Sequence, residues 1–400
     1  MPILIKIILP AFALALCAAA RAADFSAQIV PTTQDAEMEW WFNLPANSVP
    51  HAIQCDRVLF HQNFALAAFF DNADVKNGKF DITYSIFSTS PDGKKTAAAE
   101  NMKIKGAKIS KGIIVASDKI TRACFDKNSP AGKYTFELVA KDEVSGKTAA
   151  AQASVELAEW SPPEPLSDKR LVDSAILGFY KNPAPEVLYS LFYSKDLNLE
   201  QRGAPNDLNY IYAGFFRAGF LRNSFLAPYL RRAFPKMTPL DRAKTIFIFA
   251  LTDEARIDFN ILTESERKYQ DAMRKADIPA PYAEWDPALG AVQIDMLWGE
   301  FFADGTYKPI RRIMSLLAYS KEGAFAEEMI AMRRKPANAA EWKKLMLGAY
   351  HNAAKRSLLA NAERFELVRK YCAWALENGD VPEGSRGLLG EISENKAAEK

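Results

Sequence analysis

The sequence predicts a multidomain chain, all-β in its N-terminal region and all-α after it. Three observations lead there. From Asp24 to about Ala158 apolar and polar residues alternate, the period of strands with one buried face. After the proline-rich stretch Glu159-Trp160-Ser161-Pro162-Pro163-Glu164-Pro165 the period lengthens to that of a helix. In this helical region a single stretch spells out a helical hairpin. Ile294, Leu297, Trp298, Phe301 and Phe302 recur at i, i+3, i+4, i+7 and i+8, one apolar stripe. Gly305 can take the left-handed conformation that stops a helix, and Pro309 fits the first turn of the next. Ile310, Ile313, Met314 and Leu317 resume the stripe, with Arg311, Arg312 and Ser315 on the other side.

Residues 1–22 read as a cleaved secretory signal. Lys6 supplies the positive start, Ile7–Ala20 is an apolar run of 14 residues, and Ala20-Arg21-Ala22 has the small-x-small form of a cleavage site. The run is too short to span a bilayer, which takes about 20 apolar residues. Leu16 stands before Cys17 where a lipoprotein signal carries a small residue, so lipidation is not expected. The expected address is periplasmic or secreted. Removing Lys6 and Arg21 from the 51 basic residues leaves 49, equal to the 49 acidic ones. A nucleic-acid-binding protein ordinarily keeps a basic excess, and that class is set aside.

The β region, 24–158, shows alternation in Phe80–Phe87, closed by the turn Pro91-Asp92-Gly93, and in Tyr134–Val139. Ile113-Ile114-Val115 and Ala151–Leu157 add further short strands, the second after the turn Ser145-Gly146. Short strands with regular turns describe an antiparallel sandwich. Ser129-Pro130-Ala131-Gly132-Lys133-Tyr134 resembles the tyrosine corner of immunoglobulin-like domains, in which the phenol ties down a connection. Phe136 stands where an antibody domain has cysteine, and no Trp lies between Cys55 and Cys124, so the resemblance is to the broad immunoglobulin-like β-sandwich class. Cys55 and Cys124, 69 positions apart, are the disulfide candidates of an exported chain. Such a bridge would stabilise by about 4 kcal/mol through the unfolded chain it restrains. Cys372, at helical spacing from Phe365 and Val368, reads as a buried hydrophobe.

Residues 159–168 are expected to be a stiff linker and 169–381 a helical-repeat-like domain. Leu208, Ile211, Tyr212, Phe215, Phe216 and Gly219 form another stripe, and Asn338 with Glu341 makes a capping box before an apolar run. Phe365, Val368 and Cys372 carry a last helix that Gly379 and Pro382 end. Aromatic pairs recur at Phe179-Tyr180, Phe215-Phe216, Phe247–Phe249 and Phe301-Phe302, at steps of 36, 34 and 52 residues. The last step contains the insertion Ile278-Pro279-Ala280-Pro281 and Asp286-Pro287. Periods in the thirties fit an α-solenoid-like stack of helical hairpins or a compact helical array. From Pro382 to Lys400 the composition suggests a flexible tail.

Phe179-Tyr180-Lys181-Asn182-Pro183-Ala184-Pro185-Glu186 and Trp298–Arg312, behind a sandwich ending Pro130–Lys147, resemble an exported bacterial two-domain family with no known activity. The resemblance covers nearly the whole mature chain and implies the same two-domain plan, with no catalytic residue to transfer.

Chemistry is sparse. His51, His61 and His351 are the only histidines, and His51-x3-Cys55-x5-His61 matches no established metal spacing. No GxSxG, SxxK or phosphate-cradling loop occurs, so no cofactor, metal or catalytic residue is assigned. Asp295 and Glu300 approach the apolar stripe of their helix, with Trp298 beside them. A half-buried carboxylate there could act as a general acid; an ion pair with Arg311 or Arg312 is the plainer reading. Residues 213–240 interleave Arg217, Arg222, Arg231, Arg232 and Lys236 with six aromatics and no acid, a pattern that suits anionic headgroups or a core with a solvated basic face. In Glu39-Trp40-Trp41-Phe42 the two indoles point to opposite sides of a strand, which leaves Trp41 a candidate for a sugar or a partner. The function expected is that of a non-enzymatic binding or scaffold protein of the envelope, with the helical domain meeting a protein or envelope component. The alternatives are an envelope glycan-active hydrolase centred on Glu300 and a peripheral membrane-binding protein.

Overall fold

The computed structural model describes residues 24–33, 54–107, 115–117, 120–195, 197, 210–252, 259–275, 292–382 and 384–394. The signal peptide, Trp40, Trp41, His51, Leu208 and the proline insertion at 278–287 lie outside the described residues. The chain is mixed β plus α, with its strands first and its helices after them.

Among the described residues, nine strands form two sheets. β1 (Ser26–Thr32), β3 (Asn63–Asp71) and β6 (Val115–Ala116) make the first, with β7 (Thr121–Cys124) also on β3. The second runs β2 (Arg57–Leu59), β9 (Thr148–Ala158), β8 (Gly132–Asp142), β4 (Lys79–Thr89), β5 (Lys95–Ala107). Every pairing between these strands is antiparallel except β2 with β9. β4 and β8 bury alternate residues, as their sequence period requires. Ile29, Phe64, Leu66 and Phe70 of the first sheet share one core with Ile82, Tyr84, Phe136 and Leu138 of the second. The Tyr134 hydroxyl donates to Pro130 O at 3.1 Å, which is the tie its sequence context announced.

The helices are α1 (Lys169–Gly178), α2 (Pro185–Phe192), α3 (Tyr210–Arg222), α4 (Ala227–Ala233), α5 (Pro239–Leu251) and α6 (Glu264–Lys275), then α7 (Val292–Asp304), α8 (Tyr307–Ser315), α9 (Ser320–Ala331), α10 (Ala339–Arg364), α11 (Glu366–Asn378) and α12 (Arg386–Glu394). Local signals set many of their ends. Asn338 accepts from Glu341 N at 3.0 Å while the Glu341 carboxylate accepts from Ala337 N at 2.9 Å. Gly305 (φ +67°) ends α7 and Gly379 (φ +70°) ends α11, both left-handed. No helix among the described residues is long and apolar enough to cross a membrane.

Two expectations are corrected. The aromatic pairs meet in one core instead of marking successive layers of a stack: Phe179 lies 5.2 Å from Phe215, Tyr180 5.3 Å from Phe301 and Phe192 4.9 Å from Phe216. The Tyr180–Phe301 contact joins the turn after α1 to α7, with α2 to α6 between them in sequence, whereas each repeat of a solenoid touches its neighbours. The expected tail contains α12, whose Leu389 and Ile392 are fully buried. The proline-rich stretch, expected as a stiff linker, packs against the helices. Trp160 packs its ring against Tyr189, Phe225 and Tyr229, and Leu166 N donates to Ser190 O at 3.1 Å. Leu59 of β2 enters the helical core, and Arg57 pairs with Glu186 of α2 at 3.1 Å.

Candidate functional site: a charge cluster where two helices cross

Helices α3 and α7 touch backbone to backbone. A Cβ on Gly214 would lie 2.1 Å from Met296 O, and one on Gly299 2.1 Å from Ile211 O. Only glycine permits that approach, since real Cβ contacts stay beyond about 3 Å. The crossing is otherwise dry and aromatic, with Phe215, Phe216, Trp298, Phe301 and Phe302 all buried. Into it the sequence sets charge: Arg217 and Arg222 from α3, Glu300 and Asp304 from α7, and Lys308 from the first turn of α8.

Asp304 is satisfied. One oxygen accepts from Thr306 N and Thr306 Oγ1, each at 2.8 Å, and the other accepts from Arg222 Nη2 at 3.1 Å. The Arg222–Asp304 pair is largely removed from solvent, with side chains 21% and 7% exposed, so it escapes most of the screening that makes surface pairs weak. Glu300 is the reverse case. Its Oε2 is sealed and has no hydrogen-bond partner among the described residues, although part of the residue reaches solvent. Burial, and secondarily the Asp304 charge, raise its pKa well above the usual value; Lys308, Arg222 and Arg217 oppose that rise. The result is a carboxyl group that favours holding its proton.

The residues singled out from sequence divide accordingly. Arg217, Arg222 and Glu300 come together. Arg311, expected beside Glu300, instead binds Asp380, 2.8 Å from its Nε, because α8 carries Arg311 to an exposed face. Trp298 lines no cleft: it is 3% exposed, packed edge-on to Phe301 at 5.8 Å and stacked on Phe302 at 6.2 Å. Asp295 stands exposed on the outer side of α7. The basic-aromatic stretch buries Phe215, Phe216, Phe220, Phe225 and Phe234 in the core. Arg231 lies over the Phe249 ring at 5.2 Å and the exposed Arg232 over Tyr229 at 5.8 Å. Trp41 is outside the described residues. Sequence reading passed over Asp304 and Lys308; an acid just before Gly305 and a base three residues after it were the available signal.

Cys55 and Cys124 carry free thiols here, and the expected bridge between them is absent. Cys55 precedes β2 with its N–H on Pro31 O of β1 at 2.9 Å, while Cys124 ends β7 opposite Asn63 of β3. Burial pushes the Cys55 thiol up to about 12 and raises that of Cys124. His61 is exposed in a left-handed turn (φ +65°), and His351 is buried on α10.

The two best-formed cavities among the described residues are small, each with room for about one water (≈ 10 Å³). One lies among Phe220, Leu230, Ile248 and Phe249; the other, lined by Thr33, Gln62, Pro183 and Arg222, sits between the sheets and the helices. Glu300 lines neither.

Compared with family models and with curated proteins, the chain matches none. Among solved structures it is similar to a family 123 glycoside hydrolase from Clostridium perfringens, at 10% identity and TM-score 0.20, over 42% of this chain and 33% of that one. It is similar to native Escherichia coli alpha-2-macroglobulin at 10% identity and TM-score 0.20, over 87% of this chain and 25% of that one. The portion of that protein from domain MG7 to the C-terminus gives 12% identity and TM-score 0.20, over 94% of this chain and 63% of that one. The chain thus spans less than two thirds of each of these structures, and likenesses of this size carry no argument about fold or activity.

Proposed function

We propose that this chain is an exported binding or scaffold protein of the bacterial envelope, in which an immunoglobulin-like sandwich backs a compact helical-hairpin array and the array makes the contact. One observation carries the reading. Among the described residues, all six large apolar side chains that are more than 40% exposed (Leu171, Leu221, Leu240, Ile330, Met332 and Trp342) lie on the helices or the turns between them. Three of them, Ile330, Met332 and Trp342, fall at the closed end of the α9–α10 hairpin, and grouped exposed apolar side chains mark association surfaces. The charge cluster then serves the scaffold, fixing α3 against α7 and α8.

The test is envelope retention of the exported full chain. Retention should fall when Leu171→Glu and Leu240→Glu are combined, and stay when Val75→Glu and Val139→Glu are combined on the sheets. Equal retention of all forms, or none for the parent chain, would remove the reading. The glycan-hydrolase alternative draws on one feature, the burial of Glu300 that raises its pKa. Turnover of a glycan panel that Glu300→Gln abolishes would establish it in place of the scaffold reading.

A further inference from the structure

Helices α9 and α10 form an antiparallel hairpin with a rigid stem. A Cβ on Gly348 would lie 2.0 Å from Glu322 O, and one on Gly323 2.5 Å from the His351 ring, so the two helices are in backbone contact. The closed end, residues 330–344, is built differently from the rest of the surface. Ile330, Met332 and Trp342 are 70%, 64% and 55% exposed, three of the four most exposed large apolar side chains among the described residues. Arg333, Arg334 and Lys335 precede the turn into α10, Lys343 and Lys344 follow Trp342, and all five are exposed. Glu341 is the single acid among these fifteen residues, and its carboxylate is already engaged by Ala337 N and Arg334. The end therefore carries four more positive charges than negative, with Glu327 and Glu328 standing one turn back along α9.

The backbone adds a second fact. Arg333 has φ +50°, the left-handed conformation that a helix end ordinarily assigns to glycine. Arg334 N donates to Met329 O at 3.0 Å and Met332 N to Glu328 O at 2.9 Å, which hold the turn closed around it. A cation is thus kept at the extreme of the hairpin against the local conformational preference.

We propose that the closed end of the α9–α10 hairpin docks on an anionic phospholipid bilayer, with Ile330, Met332 and Trp342 entering the headgroup region and Arg333, Lys335, Lys343 and Lys344 resting on the lipid phosphates. This rests on the envelope reading and names its contact. Charge complementarity selects the occupant: a negatively charged leaflet attracts clustered Lys and Arg beside it. Indole favours the interface between headgroup and hydrocarbon, and long basic side chains can keep their charge at the phosphates while apolar neighbours sit deeper. An end whose apolar side chains stand in water suits a fluid surface that closes around whatever enters it, where a protein partner would have to supply a matching socket. The device is separate from the basic-aromatic stretch at 213–240, whose rings are spent on the core.

The experiment is flotation of the exported full chain with phosphatidylcholine vesicles, with and without phosphatidylglycerol. The expected result is flotation only with phosphatidylglycerol, weakened by salt, and about five-fold weaker binding for each cation removed by Lys343→Gln or Lys344→Gln. Trp342→Ala with Met332→Ala should also abolish it, while Arg232→Gln with Lys236→Gln leaves it intact. Arg333→Gly guards against misfolding as an explanation, since it should raise the melting temperature while weakening flotation. Absence of flotation, or flotation equal in the hairpin variants and the parent, overturns the proposal. If flotation fails while envelope retention still responds to Leu171→Glu and Leu240→Glu, the lipid contact is wrong and the envelope reading stands. If neither is seen, both fall. Hairpin variants that lose envelope retention without any vesicle binding by the parent point to an acidic protein instead, and likewise overturn it.

Discussion

Arg222 reaches Asp304 at 3.1 Å and leaves Glu300, one turn back on the same helix, with burial as its dominant surroundings. The pH dependence follows from the direction of that shift. With a folded pKa above the ordinary 4.5, Glu300 keeps its proton in the native state over a range where the unfolded chain has lost it. Its contribution to stability is greatest below pH 4.5 and declines as pH rises through the folded value. Glu300→Gln should flatten that decline and raise stability at pH 7. Urea titrations of both forms from acid to neutral pH check it; a destabilised Gln variant would show that the ionised carboxylate is the form the helices need.

Gly214 and Gly299 set the α3–α7 distance. Either one changed to Ala should cost roughly 2–3 kcal/mol, as overpacking against an unyielding backbone does. A methyl added at Gly390 in α12 would meet nothing within 4 Å, so Gly390→Ala should be neutral or gain up to about 1 kcal/mol. Thermal melts of the three variants separate helix propensity from packing.

Arg242 holds Glu266 with two hydrogen bonds, Nε to Oε1 at 2.6 Å and Nη2 to Oε2 at 2.7 Å, and lies over the Phe234 ring at 4.4 Å. That grip lowers the Glu266 pKa from 4.5 to about 2. Its stabilisation is full above pH 4.5 and is lost as pH falls from there toward 2. Arg242→Ala should cost about 3 kcal/mol at pH 7, because it strands a carboxylate that is 15% exposed. The same variant should lose less at pH 3 than at pH 7, which denaturant titration at the two values would measure.

The cysteines should react unequally. Cys124 is exposed, whereas burial pushes Cys55 and Cys372 up to about 12. Maleimide at neutral pH should label Cys124 first and reach the other two only after denaturation, since the thiolate is the reacting form. Peptide mapping after a short exposure reads the order.

Features written in neighbouring residues were legible in the sequence. The Tyr134 tie, the stop at Gly305 and the Asn338 cap each depend on a few consecutive positions, and each is present. Partners far along the chain were not legible. Arg222 meets an acid 82 residues away and Arg311 one 69 away, while helical spacing offered Glu300 as the nearer choice. Trp298 looked available for a cleft because periodicity shows that a helix has an apolar face and cannot show what covers the rest of it. Helix α12 escaped notice because Gly387 and Gly390 dilute the stripe of Leu389 and Ile392. The crossing of α3 and α7 had a signal of its own, a glycine in the middle of each apolar helix.

A proline-rich stretch between two bodies usually sets a distance; here it sets an angle. Trp160 is gripped by three aromatic rings, and Leu59 and Arg57 reach across beside it. These contacts tie the sheets to α2 and α4. The strands act as a lever fixed to the helices, and whatever holds the helices in place also decides which way the sheets point.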